Sequence, residues 1–414
     1  MTLGQGGEYN VHMIRARAAL EALEEQTLAS YGSRSSRSRG RAHAEPEPTL
    51  RTAHQRDRDR VLHSEAFRRL QHKTQVFAVY EGDRCRTRLT HTIEVSQIAR
   101  SLAAFLGANV DLANCIALMH DLGHPPYGHQ GEVELNALAR EHGIEGGFDH
   151  NLHCLRVVDW LERRYEFPGL NLSWEAREGI AKHATVFDSP TTPEEFRNTP
   201  QPGVEAQIAN LADTLAYVSH DVEDALYYGF FTMNELAALD LDVVNEAIAE
   251  AGLAGAPPRR YVRHGGLTRR IIGRLVGAVL DETDRRLSAL GEAPTPDDVR
   301  AHPEPVVRLP EAEEEQVEVL IGFLLRRVYR HPSVEIMCAK GRRLLRALFL
   351  HFVEHPGHLP RLVQERLRSE GDPDDARHVA RVVLDFTAGI TDRHAVTLYE
   401  QIFSPTAPLL PYID

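Results

Sequence analysis

The chain has 414 residues, 42% of them hydrophobic and 26% charged, with a formal net charge of −13. That size and balance allow one large core or two fused ones and exclude global disorder, while the acidic excess argues against a protein that simply coats nucleic acid. Four scattered cysteines (Cys85, Cys115, Cys154 and Cys338) read as free thiols in a reducing compartment, and the sequence shows neither a secretory leader nor a membrane-length apolar run, so it reads as cytoplasmic with no membrane partner.

In chain order, residues 12–29 read as a helix, rich in Ala, Leu and Glu. Residues 31–50 are rich in Ser, Gly, Pro and Arg and read as an exposed basic arm. A new block opens near Arg51 and runs to about Leu236. Within it Val95, Ile98, Leu102, Phe105 and Leu106 follow helical spacing with Gly107 as a stop; Leu112, Cys115, Ile116 and Met119 repeat the pattern, as do Ile208, Leu211, Leu215, Val218 and Val222. Residues 186–204 carry four prolines and read as a long loop; 255–266 and 291–311 are further breaks; 267–290, 312–330, 341–354 and 373–403 read as helices. Strand alternation is scarce. The expected class is all-α, an irregular helical bundle, divided into an N-terminal helix and arm (1–50), a core (51–236) and a C-terminal helical region packed on it (237–414).

The densest chemistry lies in the run from His120 to Glu132. Three imidazoles (His120, His124, His129) and two carboxylates (Asp121, Glu132) fall where a predicted helix is broken by Gly123, Pro125 and Pro126. Such donors suit a borderline or hard divalent metal. A metal needs more ligands than one His-Asp pair. His91 stands in the first turn of the helix containing Val95, with Thr90 as its expected cap. Asp213, Tyr217 and Asp221, spaced i, i+4, i+8, share one helical stripe; read alone, that stripe is a solvated acidic face.

Taken together, these residues resemble the HD-superfamily phosphohydrolases, whose pattern is a distant His, an adjacent His-Asp and a later Asp. The chain is most similar to the bacterial deoxyguanosine triphosphate triphosphohydrolase-like proteins. The likeness runs from Arg56–Ser64 through Ala66–Leu70, Lys73–Phe77 and Arg86–His91. It continues through His120–Glu132, Asp149–Asn151, Lys182-His183 and Glu205–Asp224, and returns at Ala388–Arg393. The resemblance implies a helical HD-domain fold with additional C-terminal helices, and a reaction in which a deoxynucleoside triphosphate, dGTP among them, and water give a deoxynucleoside and tripolyphosphate.

It further implies roles by position. His91, His120, Asp121 and Asp213 would hold one divalent ion, whether Mg, Mn, Fe, Co or Ni. His129 would be the general acid, oriented by Glu132. Arg88, His124 and His150 would contact phosphates. Tyr217 would close off the space beside C2′, Asp221 would accept from the 3′-hydroxyl, and Gln75 and Val76 would lie over sugar and base. A eukaryotic relative carries Lys directly after the metal Asp; Thr214 stands there, and Lys182 is taken as the substituting cation.

Other readings remain at this stage. The metal pattern alone also fits a 5′-nucleotidase or phosphodiesterase. The Arg clusters at 34–41 and 51–69 would also suit a nucleic-acid-binding HD protein or single-stranded DNA as a regulator, although the acidic residues among the second cluster favour a salt-bridged helix. The family likeness suggests a homo-oligomer.

Overall fold

A computed structural model of the chain describes residues 16–76, 86–184, 192–252 and 264–406. The first residues of the expected 12–29 helix, Phe77, Cys85, and parts of the 186–204 loop and of the 255–266 break lie outside that set.

Among the described residues the fold is all-α, with no strand beyond two isolated bridges, Arg41 with Ser173 and Thr74 with Thr87. The helices are α1 (Arg17–Thr27), α2 (Ala53–Leu62), α3 (Glu65–Arg69), α4 (Arg88–Phe105), α5 (Val110–Met119), α6 (Gly128–Glu141), α7 (His150–Arg156), α8 (Trp174–Ala181) and α9 (Val204–Tyr228). They continue as α10 (Met233–Ala237), α11 (Asp242–Glu250), α12 (His264–Ala289), α13 (Pro296–Ala301), α14 (Glu311–Leu324), α15 (Pro332–Glu354), α16 (Arg361–Glu370), α17 (Ala376–Gly389) and α18 (Asp392–Phe403). A π-helical turn, Leu325–Tyr329, extends α14.

The centre of the molecule is α9, packed between α4, α5 and α12. Its apolar residues Ile208, Leu215, Val218 and Val222 are fully buried, and the stripe that carries Asp213, Tyr217 and Asp221 is largely buried as well. The acidic stripe is therefore not a solvated face. A helix enclosed on all sides keeps polar residues only where they meet partners or a cavity, and the far end of α9 stops at Gly229 in the left-handed region, φ 76°. A second hydrophobic cluster joins Leu135 and Leu138 of α6 to Leu348, Phe349 and Phe352 of α15 and to residues of α17 and α18. The α5–α6 connection, with the His120–Glu132 run, passes between the two clusters.

Residues 31–50 keep many exposed side chains but do not form a free arm. Ser33 donates through N and Oγ to the Glu205 carboxylate, both at 2.8 Å, and Ser33 and Ser35 are buried. Arg41 reaches Asp57 and the Asn171 carbonyl, Ser38 donates to Glu175 at 2.6 Å, and Arg39 pairs with Asp297 at 2.7 Å. The segment is a strap, polar because its partners are carboxylates rather than water. The second Arg cluster is salt-bridged as expected: Arg51 to Asp59, Arg56 and Arg60 to Glu45, Arg58 to Asp111, Arg69 to Glu65. No helix among the described residues is long and apolar enough to cross a membrane.

Candidate active site

Two helix ends and one helix middle bring the first group together. Thr87, not Thr90, is the N-cap of α4: its side chain accepts from the Thr90 backbone while Thr90 answers to the Thr87 backbone. That box fixes the first turn and places His91 one turn in, buried. His120 is the C-cap of α5, and its Nδ1 lies 2.7 Å from the Ala117 carbonyl. A carbonyl cannot donate, so Nδ1 carries the proton and the Nε2 lone pair faces the cavity.

Asp213 meets these rings from α9. Its Oδ1 is 2.9 Å from His91 Nε2 and 3.6 Å from His120 Nε2, and its Oδ2 is 3.6 Å from His183 Nε2. Asp121 Oδ1 lies 3.6 Å from His120 Nε2, 3.2 Å from His124 Nε2 and 2.7 Å from Arg88 Nη1. Among the described residues, His120 Nε2 and Asp121 Oδ2 are buried with no hydrogen-bond partner. Orphaned polar atoms of this kind cost free energy unless something binds them, and His120, with His91 and Asp213, brings its ligand-type atom within 4.8 Å of the others.

Electrostatics prepare the group for a cation. Burial pushes the Asp213 carboxyl up, but His120, His183 and His91 outweigh it and hold it well below the usual carboxylate range. Asp121 is likewise lowered: burial opposes, and Arg88, His120 and His91 prevail. Burial lowers His120, against the pull of Asp121 and Asp213. Ionised carboxylates and a neutral imidazole are the forms that ligate metal. The residues present fit a divalent ion.

A second group stands beside the first. The rings of His124 and His150 stack with centroids 3.8 Å apart. Glu132 Oε1 lies 3.0 Å from His150 Nδ1 and accepts from the His150 backbone at 2.8 Å, while its Oε2 is 3.4 Å from His129 Nδ1. Glu132 therefore grips His150 more closely than His129, the residue it was expected to orient. Burial, Arg88 and the neighbouring imidazoles push His124 well below its ordinary value, so it is neutral. His129 occupies the first turn of α6, its side chain 52% exposed.

Two glycines make this packing possible. A Cβ on Gly128, which has φ 56°, would lie 2.7 Å from Arg88 Nη2 and block the guanidinium. A Cβ on Gly123 would fall 1.9 Å from the His150 carbonyl and 2.4 Å from the Cys154 nitrogen, both backbone of α7. Gly123→Ala is expected to cost at least about 1–3 kcal/mol, read as a lower urea midpoint, because backbone cannot step aside as a flexible side chain can.

One cavity of about 570 Å³ is lined by both groups and by Gln75, Val76, Arg88, Tyr217, Asp221 and Tyr329. Thirteen of the fourteen expected site residues line it; Lys182 does not. Its ammonium donates to Thr199 and to the Gln201 carbonyl and sits 3.5 Å from Glu178, so it ties the 199–201 loop to α8. Among the described residues, Arg88 is the one Lys or Arg side chain on the cavity wall.

The sequence reading missed three contributors. His183, next to Lys182, reaches the second oxygen of Asp213, and its own Nδ1 lies 2.6 Å from Asn210 Oδ1. Tyr329, on the π-helical turn, donates to Asp221; burial raises the Asp221 carboxyl to about 6 even against that bond. Asp392 accepts from Thr74 and from the backbone of Tyr127, joining the start of α18 to the wall that carries Gln75 and His129. His183 and Asp392 lay inside motifs already singled out; no motif marked Tyr329.

Two family models and a set of relatives match the chain. Residues 88–218 match the HD domain, which binds divalent metals, and 307–401 match the phosphohydrolase-associated domain. The chain is 42% identical over 401 residues to a deoxyguanosinetriphosphate triphosphohydrolase-like protein of Syntrophus aciditrophicus, covering 94% of this chain and 97% of that protein. It is 44% identical to the one of Geobacter sulfurreducens (93% and 97% covered) and 45% identical to the one of Ralstonia nicotianae (91% and 95% covered). The chain therefore belongs to the deoxyguanosinetriphosphate triphosphohydrolase-like family of HD-domain phosphohydrolases.

Proposed function

We propose that the protein is a metal-dependent dNTP triphosphohydrolase, converting a deoxynucleoside triphosphate and water to deoxynucleoside and tripolyphosphate. The observation that carries this reading is that one cavity holds both the metal-type group and the α9 stripe Asp213, Tyr217, Asp221. On a helix, those residues step about 6 Å apart. A sugar held at Tyr217 and Asp221 presents its nearest phosphorus, the α one, to the ring formed by His91, His120, Asp121 and Asp213.

A divalent ion held by those four residues would polarise a phosphoryl oxygen and lower the pKa of a bound water. The chain's own groups do the rest. Arg88, with the imidazoles of His124 and His150 beside it, faces the phosphate chain. Water oxygen bonds to the α-phosphorus, releasing a proton to solvent, as the bond to O5′ breaks, and His129 supplies the proton to O5′. Imidazole and carboxylate donors together favour Mn, Fe, Co or Ni, with Mg weaker.

Incubation with each of the four dNTPs and each of these metals, followed by chromatography of the products, tests the reading. Deoxynucleoside with intact tripolyphosphate supports it; a deoxynucleoside monophosphate as main product points to another HD nucleotide phosphohydrolase.

Sugar choice gives a second expected result. Tyr217 is buried on the cavity wall; beside a sugar gripped by Asp221 it would fill the volume of a 2′-hydroxyl, and rejection by filled volume needs no special chemistry. Wild type should prefer dGTP to GTP, and Tyr217→Ala should raise the GTP rate relative to dGTP. Equal wild-type rates on the two nucleotides would remove Tyr217 from this role.

A further inference from the structure

Away from the cavity, three histidines converge where α15 ends. His351 and His355 are one helical turn apart on α15 and its C-cap, and His358 closes the short 3₁₀ turn Pro356–His358 that follows. The three ring centroids form a near-equilateral triangle: 5.1 Å between His351 and His355, 5.2 Å between His351 and His358, 5.2 Å between His355 and His358. A tetrahedral ion with imidazole nitrogens at about 2.0–2.1 Å, and ring centres roughly 1.1 Å further out, sets ring centres about 5.2 Å apart. Rings of His91 and His120, in the candidate metal centre, are 5.5 Å apart.

We propose that His351, His355 and His358 form a second metal site, selective for an imidazole-preferring divalent ion of the zinc, nickel or copper kind.

Further features support it. His351 Nε2 and His358 Nδ1 are 3.1 Å apart, close to the roughly 3.3 Å between two nitrogens on one tetrahedral ion. The His351 ring is set edge-on to Phe352 at 5.4 Å and Phe403 at 5.6 Å, which limits its rotation. The last carbonyls of α15 are the negative end of its dipole, which favours a cation there. The donor nitrogens of all three do not yet lie within 4.8 Å of one another, as those of the two cavity groups do. His355 is exposed, so its ring is free to turn and complete the set. The ion would pin the 356–358 turn to α15 beside Phe352 and Leu359 of the second core cluster, leaving a fourth position for water.

The test uses the untagged full-length protein, stripped with chelator and titrated with zinc in excess magnesium, with bound metal counted after dialysis. Wild type should hold one zinc more than His355→Ala/His358→Ala, and each single variant should bind that extra ion at least tenfold more weakly. The double variant should still hydrolyse dNTPs at the wild-type rate in manganese. Should the double variant lose its helical circular dichroism, His358→Gln, which alters one exposed ring, carries the same comparison. Equal zinc content and affinity in wild type and folded variant overturns the site.

Discussion

Asp213→Ala is expected to abolish both bound manganese and turnover while leaving a folded protein. Among the described residues, Asp213 is the one carboxylate within 4 Å of His91, His120 and His183 together. Those three imidazoles hold it ionised against burial, so it supplies negative charge where a cation would need it. Removing it leaves His91, His120 and Asp121 as an incomplete set, with His183 pointing at nothing ionised. The size of the loss separates two roles. An outer contact that merely positions a ligand costs about 10–100-fold in affinity or activity; a direct ligand should cost more than that. Manganese is the suitable probe because carboxylate-containing sites hold it while imidazole-only surface sites do so poorly. Elemental analysis of the dialysed variant, circular dichroism and dNTP turnover give the three readings. Full metal content with full activity in a folded variant would exclude Asp213 from the ligand set.

The parts of this site that were legible in the sequence are those set by short-range pattern. The periodicity of Val95, Ile98 and Leu102, and of Ile208, Leu215 and Val218, marks α4 and α9 because buried helix faces repeat every three to four residues. The His120–Asp121 pair followed by Gly123 and two prolines marks a helix end bearing ligand-type side chains. What was not legible depends on partners far away in the chain. Ser33 and Arg41 look like an unstructured polar arm until Glu205 and Asp57 are brought beside them. Lys182 and His183 are adjacent, and Thr214, standing where a relative carries Lys, turns attention to the cation. The C-terminal end of α8 instead aims His183 at Asp213 and leaves Lys182 bonded to the 199–201 loop. Thr87 and Thr90 are both plausible caps by residue type, and only the backbone shows that Thr87 takes the position. Tyr329 lies on a π-helical turn, which has no strong sequence period, so nothing local announced that it would reach Asp221.

The remaining large effect concerns the bond that breaks. His129→Ala is expected to lower kcat on dNTPs by about 10²–10⁴-fold, the usual range for a lost general acid, with manganese content unchanged. The qualifying clause matters because His124, His129, Glu132 and His150 also bring ligand-type atoms within 4.8 Å of one another and could themselves hold an ion. If His129 were a ligand of such an ion, its removal would lower metal content together with rate. As an acid it should leave metal content alone. Its surroundings suit the acid: Glu132 is held ionised by His129 and His150 against burial, and its Oε2 lies 3.4 Å from His129 Nδ1. Its place in the first turn of α6, exposed toward the cavity, leaves it open to a leaving oxygen, whereas His124 and His150 are buried in their stack. Hydrolysis in ¹⁸O-labelled water reads the same step independently. Attack at the α-phosphorus with departure of O5′ puts the label in tripolyphosphate and leaves the deoxynucleoside unlabelled. Label in the deoxynucleoside would mean attack at carbon, for which a proton delivered to O5′ by His129 has no purpose, and the acid assignment would fall with it.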